Sequence, residues 1–185
     1  MNYTTRARAF ATCSIAALLL AACGSSDTVE AENESVGSVA EKVAKSDIKP
    51  NPGKWETKVS MQAVELPGMP PEMQEMMKSR MGEMATTTSC LTAEQINAND
   101  GEMFKPSDND SCTYKTFSMG GGKLDAEMVC KEGAMDQTMK MAGTYSDNSY
   151  DMTINAEGTA DGQPMKMTMA INSKRLGECD GSEEG

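Results

Sequence analysis

The chain has 185 residues, enough for one compact domain but not for two. Its net charge of −11, with no cluster of basic residues, excludes nucleic acid as a partner, because binding phosphates requires a positive surface. The absence of histidine excludes Ser-His and Cys-His nucleophiles and nearly every catalytic zinc site. We therefore predict that the protein is not an enzyme and carries no cofactor.

The first residues have the three parts of an export signal: a basic start, an apolar stretch and small residues before a cleavage point. The run Leu20-Ala21-Ala22-Cys23 also matches the bacterial lipobox, in which the cysteine thiol takes a diacylglycerol. We predict a signal peptide over residues 1–22 and lipidation of Cys23 as the mature N-terminus. The alternative is an ordinary signal in which Cys23 has no special role.

The predicted lipid determines where the protein resides. An acidic chain is repelled by anionic lipid headgroups, so attachment to a membrane has to come from the lipid on Cys23. The next residue is Gly24 rather than Asp, which resembles lipoproteins sorted to the outer membrane. We expect a protein of the cell envelope, anchored on the periplasmic face of the outer membrane.

Residues 23–52 are rich in small, acidic and polar side chains, a composition typical of a flexible tether. Val36, Val39 and Val43 have helical spacing, but so little apolar surface predicts at most a transient helix. The predicted β domain then spans residues 53–179, and residues 180–185 form an acidic tail that we expect to be disordered.

Apolar and polar residues alternate along several runs of the predicted domain, which indicates half-buried strands. Short turn clusters such as Gly120-Gly121-Gly122 separate these runs, and short links favour antiparallel neighbours. We predict a mainly β fold: an antiparallel meander of about seven strands curling into a barrel or half-barrel, with one or two short helices. The predicted strands are 54–63, 84–91, 112–119, 124–131, 139–145, 150–157 and 165–171.

The chain has eighteen methionines but only three Phe, four Tyr and one Trp, and six of the methionines cluster over residues 69–84, the last five of them at helical spacing. They are Met69, Met73, Met76, Met77, Met81 and Met84. We predict a short helix whose methionine stripe covers the core. The alternative is a copper(I) site, since clustered thioethers bind soft metals. A second helix is predicted over 92–96, where Thr92 precedes Gln95 by three residues as in a capping box.

Four cysteines remain after Cys23: Cys90, Cys112, Cys130 and Cys179. An even number in an oxidising compartment favours two disulfides. If the glycine turn closes a hairpin, Cys112 falls opposite Cys130, with Tyr114 opposite Met128 and Thr116 opposite Ala126. Cys90 would then bond Cys179. The pairing of Cys90 with Cys112 and of Cys130 with Cys179 stays open.

Several short segments share their order and spacing with a known family. They are Pro52-Gly53-Lys54-Trp55-Glu56, Pro67-Gly68-Met69-Pro70, Cys90-Leu91-Thr92, the strand ending in Cys130, and Lys174-Arg175-Leu176-Gly177-Glu178-Cys179. Over residues 50–179 the chain resembles the domain-of-unknown-function family 3617, which implies a small exported protein with a Met-rich β domain and implies no activity. We predict a non-enzymatic binding or interaction module, whose partner is another protein or a small apolar ligand held in a β cavity.

Overall fold

The computed structural model describes residues 28–81, 85–98, 111–132, 135–160 and 162–182. The predicted signal peptide and Cys23 therefore lie outside the described residues. Within them, eight strands and three helices follow one another along the chain. In order they are β1 (Thr28–Ser35), α1 (Val36–Ala44), β2 (Gly53–Glu65), α2 (Pro71–Met81), β3 (Ala85–Leu91), α3 (Ala93–Ala98), β4 (Cys112–Gly120), β5 (Lys123–Glu132), β6 (Met135–Ser146), β7 (Ser149–Ala160) and β8 (Gln163–Gly177).

All eight strands form one sheet in the order β1-β4-β5-β6-β7-β8-β2-β3, and every neighbouring pair is antiparallel. Strands β4 to β8 are a meander in chain order. β2 adds to the far side of β8 and β3 adds to β2, whereas β1 adds to β4 at the other side. In the part of the chain that the structure describes, the edge strands β1 and β3 do not pair with each other. The predicted mainly β fold is confirmed, and it takes the form of an open half-barrel.

The predicted flexible tether over residues 23–52 is wrong for residues 28–44. β1 pairs with β4 from Thr28 to Ser35, and α1 begins directly after it, where the Ser35 side chain accepts a hydrogen bond from the Ser38 amide at 3.2 Å. Val36 and Val39 are 0% exposed. Composition misled because the few apolar residues of this acidic segment lie on one helix face, and a sheet provided by the rest of the chain covers that face.

The main core lies between α1 and the β1, β4, β5 side of the sheet. Tyr114 and Phe117 meet edge to face at its centre, with ring centroids 5.2 Å apart. Burial raises the pKa of Tyr114 to about 12, because the phenolate would be desolvated. The buried cluster comprises Val29, Ala31, Val36, Val39, Val43, Cys112, Tyr114, Phe117, Met119, Leu124, Ala126 and Met128.

The hairpin of β4 and β5 follows the predicted register only in part. Cys112 lies opposite Cys130 and Tyr114 opposite Met128, as predicted. The predicted pairing of Thr116 with Ala126 is wrong, because an irregularity between Tyr114 and Thr116 places Thr116 opposite Glu127. This bulge turns Phe117 rather than Thr116 toward the core. It explains why buried and exposed residues do not alternate strictly along β4.

Both predicted helices are present, at adjusted bounds. In front of α3, the Gln95 amide donates to Thr92 Oγ1 at 3.1 Å and the Thr92 amide donates to Gln95 Oε1 at 2.8 Å, the two bonds of a capping box. Helix α2 contacts β2. It ends at Met81 in the described residues, and Met84 lies outside them.

The start of the predicted disordered tail takes part in an ordered contact. The Lys54 ammonium donates to the Asp180 carboxylate at 3.0 Å and to the Ser182 hydroxyl at 2.6 Å. The Asp180 carboxylate also accepts hydrogen bonds from Ser182, whose backbone amide lies 3.0 Å from Oδ1, and these bonds together with that from Lys54 lower the pKa of Asp180. Residues 180–182 are thereby held beside the first residues of β2.

Candidate ligand-binding cavity

One face of the sheet carries the buried residues, and we call it the inner face. Residues directly opposite each other on neighbouring strands project from the same side, so the strand register shows which side chains share this face. Among the residues whose side chains the structure describes, nine methionines lie on it, from six of the strands. They are Met61, Met119, Met128, Met139, Met141, Met152, Met165, Met167 and Met169.

The covering of the inner face is uneven. Helix α1 lies over the β1, β4 and β5 side, where the methionines are buried. Toward β7 and β8 the same face continues with Met152, Met167, Met169 and Ile171, and these side chains are only half-buried. The apolar surface is therefore larger than the helix that covers it.

A cavity of about 530 Å³ opens at one end of the inner face. It lies beside the tight turns that join β4 to β5 and β6 to β7, and the end of α1, the loop that follows α1, and α3 contribute further walls. Its apolar lining includes Val43, Ile48, Trp55, Leu124, Tyr150 and Met152. We call this site the turn-end cavity.

Small residues on three strands create this space. Gly143 on β6, Ser173 on β8 and Thr57 on β2 take inner-face positions at the turn end, where methionines fill the corresponding positions further along the strands. A Cβ added at Gly143 would lie 2.2 Å from the Asp151 carbonyl oxygen, so no larger residue fits there without a backbone shift. The space thus follows from side-chain size, not from a break in the sheet.

Trp55 is the fixed wall of the cavity. It is 4% exposed, its indole N–H donates to the Asn51 carbonyl at 3.0 Å, and its ring stacks on Tyr150 with centroids 6.4 Å apart. With its one polar group satisfied, Trp55 presents a rigid apolar surface. A ligand that contacts this wall does not have to order it first.

A pair of hydroxyls is the main polar feature of the lining. Thr57 Oγ1 and Ser173 Oγ are 2.8 Å apart, and Ser173, which is buried, donates to the Glu56 carbonyl at 3.2 Å. The rim carries exposed charges: Asp47 and Asp147 are acidic, and Lys49, whose ammonium is 3.4 Å from Asn97 Oδ1, is basic. The lining combines a wide apolar surface with a few polar groups, which is typical of sites for small apolar ligands.

The methionines of α2 do not form the core stripe that the sequence favoured. Met73 and Met76 are 51% and 55% exposed, while Met69 and Met77 are half-buried. The prediction failed because α2 packs mainly against a single strand, β2, which leaves much of the helix surface exposed. Whether the sulfurs bind copper(I) stays a prediction, and the side chain of Met81 lies outside the described residues.

Two disulfides are present, with the pairing that the hairpin geometry favoured. Cys112 bonds Cys130 across β4 and β5, and Cys90 bonds Cys179, which ties β3 to the end of the chain. Cys90 of the second disulfide directly precedes Leu91, which lines the turn-end cavity. The bond therefore holds the β3 wall of the cavity against the strand that ends at Gly177.

The sequence predicted a β cavity for a small apolar ligand, but neither the position of that cavity at the turn end nor its lining residues. Only the position of Trp55 on a predicted strand was available beforehand. The cavity depends on β2 lying beside β8 and on α1 crossing the inner face, and both contacts join residues far apart in sequence. The one sequence signal for the cavity was the occurrence of small residues at the turn-side ends of separate strands.

No helix of the described residues is long and apolar enough to cross a bilayer. The same residues contain no group of three or more His, Cys, Asp or Glu side chains arranged to hold a metal ion. The sequence profile of the family described as "Protein of unknown function (DUF3617)" matches residues 50–179. No curated protein and no solved structure matches the chain. β1 and α1 precede the matched range.

Proposed function

We propose that this chain, which belongs to the DUF3617 family, is a lipid-anchored protein of the cell envelope that binds a small hydrophobic ligand in the turn-end cavity. The observation that carries the proposal is the cavity itself, about 530 Å³ of space against an apolar wall that includes Trp55 and Tyr150. Cavities of about 300–1,000 Å³ with apolar linings and few polar groups are where proteins bind small ligands.

Apolar surface that stays exposed in the free protein supports the binding of a ligand on the inner face. Half-buried side chains such as Met152 and Ile171 leave apolar surface in contact with water. Burying such surface stabilises a complex by about 25 cal/mol for each Å² that is removed from water. The hydroxyls of Thr57 and Ser173 would orient one polar group of the ligand without requiring a charge.

A binding role without catalysis also agrees with the composition. The sequence has no histidine, so general base chemistry near neutral pH would need a carboxylate or an amine with a strongly perturbed pKa. The acidic groups at the cavity rim, such as Asp47 and Asp147, are exposed to water. The role proposed for the cavity is therefore binding, without a catalytic step.

The anchor rests on the lipobox run that ends in Cys23. We expect the mature protein, extracted from membranes, to have an intact mass that corresponds to cleavage before Cys23 plus acyl groups. An unmodified terminus would refute the anchor but would leave the cavity proposal untouched. Fractionation of inner and outer membranes then tests the expected position in the outer membrane.

The cavity proposal is tested by filling the space. Ala44 lies at the last residue of α1 and lines the cavity, so Ala44→Trp places a large ring inside it. Ala142, exposed on β6, offers the matched control Ala142→Trp. We expect the neutral dye N-phenyl-naphthylamine to bind the wild type and the control equally and the Ala44 variant at least about tenfold more weakly, a loss of about 1.4 kcal/mol.

Two further measurements guard this test. Circular dichroism has to show the same sheet content in all three proteins, so that weak binding is not a sign of unfolding. Native mass spectrometry of protein taken directly from membranes should show a carried apolar molecule on the wild type. Equal dye binding by both tryptophan variants would refute the cavity as the site.

Copper(I) binding is a second candidate, favoured by the exposure of two thioethers one helical turn apart, at Met73 and Met76. If α2 binds the metal, the purified protein should take copper(I) from a chromogenic competitor at one equivalent under anaerobic conditions. Replacing both residues with leucine should abolish that transfer. The same replacement at Met167 and Met169, on the inner face, is the control.

A further inference from the structure

The turn-end cavity lies at the same end of the sheet as the start of the described chain. Thr28 is the first residue of β1 and pairs with Gly120, against which it packs so closely that a Cβ at Gly120 would lie 2.6 Å from Thr28 Oγ1. The next two residues of that turn, Gly121 and Gly122, line the cavity. The N-terminal end of β1 and the cavity therefore share one edge of the molecule.

The predicted lipidation site is only five residues before Thr28. A fully extended chain spans at most about 3.3–3.6 Å per residue, so the Cα atoms of Cys23 and Thr28 are no more than about 18 Å apart. The 30-residue tether expected from composition would have reached about 100 Å. Because β1 and α1 are folded, the turn end of the domain is held close to the membrane surface.

We propose that the turn-end cavity takes up the acyl chain of a zwitterionic phospholipid from the membrane to which the protein is anchored. The inference rests on the proposed function, since it requires both the anchor on Cys23 and an apolar site. It adds the class of ligand and the source from which the ligand comes. A chain that moves from the bilayer into the cavity exchanges one apolar environment for another, so its transfer carries no large hydrophobic penalty.

Charge selects the headgroup. The chain has a net charge of −11, and the residues that line the cavity include Asp47, Asp147 and Asp151 against a single Lys49. An anionic headgroup at this rim is repelled, whereas an ammonium group beside a carboxylate is not. Phosphatidylethanolamine, which has an ammonium group and no net charge, fits this rim better than phosphatidylglycerol.

The test uses the acylated full chain reconstituted in vesicles of equal parts phosphatidylethanolamine and phosphatidylcholine. A trace of phosphatidylethanolamine carries a photoactivatable group on its acyl chain, and peptide mass spectrometry locates the crosslinks. We expect crosslinks on β6 and β7, at residues such as Tyr145, Tyr150 and Met152. Vesicles with the same photoactivatable chain on phosphatidylglycerol should give a lower yield.

A linker variant tests the role of proximity. Inserting about 20 Gly and Ser residues between Asp27 and Thr28 lengthens the connection roughly fivefold, which dilutes the domain near the surface and releases its orientation. The crosslink yield should fall roughly threefold or more. Binding of N-phenyl-naphthylamine, which comes from solution, should not change.

The outcomes separate the two proposals. Three results would each overturn the lipid inference: a crosslink yield unaffected by the linker, crosslinks confined to the exposed Met73 and Met76 of α2, or a preference for phosphatidylglycerol. If the dye still binds, the proposed function is unaffected by these results. Failure of the dye to bind any of the proteins would overturn the proposed function itself. Native mass spectra that show only the protein's own acyl groups, with no second lipid, would also overturn the inference.

Discussion

The substitution Val39→Ala tests whether the N-terminal segment is part of the folded domain. Val39 is on α1 and is 0% exposed, in contact with the core between the helix and the β4 side of the sheet. The change removes two buried methyl groups, which costs about 1.6 kcal/mol at about 0.8 kcal/mol for each group. The space left behind raises the expected loss to about 2–3 kcal/mol, since packed surroundings relax only in part.

Urea unfolding followed by circular dichroism measures this loss. With a slope of about 2 kcal/mol per molar urea, the midpoint should fall by about 1 M or slightly more. Glu41, whose side chain is 74% exposed on the same helix, gives the matched control Glu41→Ala, which should change the free energy of unfolding by less than about 0.5 kcal/mol. Equal, small shifts for both variants would show that α1 does not pack on the sheet and would restore the flexible tether.

Two further predictions concern the disulfides and pH. Replacing both cysteines of Cys90–Cys179, which are 89 residues apart, should cost about 4.6 kcal/mol of stability, against about 3.2 kcal/mol for Cys112–Cys130 at a separation of 18. The difference arises because the longer loop restricts the unfolded chain more. A larger drop in the urea midpoint on removing Cys112–Cys130 would contradict this loop-entropy argument. The hydrogen bond from Lys42, with a second from Ser38, lowers the pKa of Glu34 below its usual 4.5. The contact therefore stabilises the fold above pH 4.5, and this stability is lost as the pH falls through the lower pKa of the folded state. Thermal unfolding between about pH 5 and pH 3 should therefore show a smaller acid-induced drop for Lys42→Ala than for the wild type, and an unchanged slope would speak against the contact.

The local part of the fold was accessible from sequence. Alternation located seven strands, and the glycine turn at residues 120–122 placed Cys112 opposite Cys130, because period-two patterns and tight turns depend on near neighbours in the chain. The capping box at Thr92 is local in the same sense. Where the local pattern was interrupted, as at the bulge after Tyr114, the register prediction failed by one residue.

The parts that sequence did not predict all depend on distant contacts. Composition cannot show that β1 pairs with β4, or that Val36 and Val39 find a sheet to cover them. The cavity needs the same long-range information, since Gly143, Ser173 and Thr57 come from three strands that are neighbours or near neighbours only in the folded sheet. The methionines of α2 show the converse error, because a regular helical stripe predicted burial and the folded chain leaves Met73 and Met76 exposed.

The strand order also constrains how the chain reaches its native state. Synthesis proceeds from the N-terminus, so β1, β2 and β3 emerge first, yet β1 needs β4, and β2 needs β8, the last strand made. The consecutive hairpins from β4 to β8 can assemble by themselves, since each strand pairs with the one before it. β1 therefore has to wait unpaired for β4, whereas β2 and β3 can pair with each other before β8 is made. The acids of β1, Glu30, Glu32 and Glu34, favour solubility of that unpaired strand and discourage premature pairing between nascent chains.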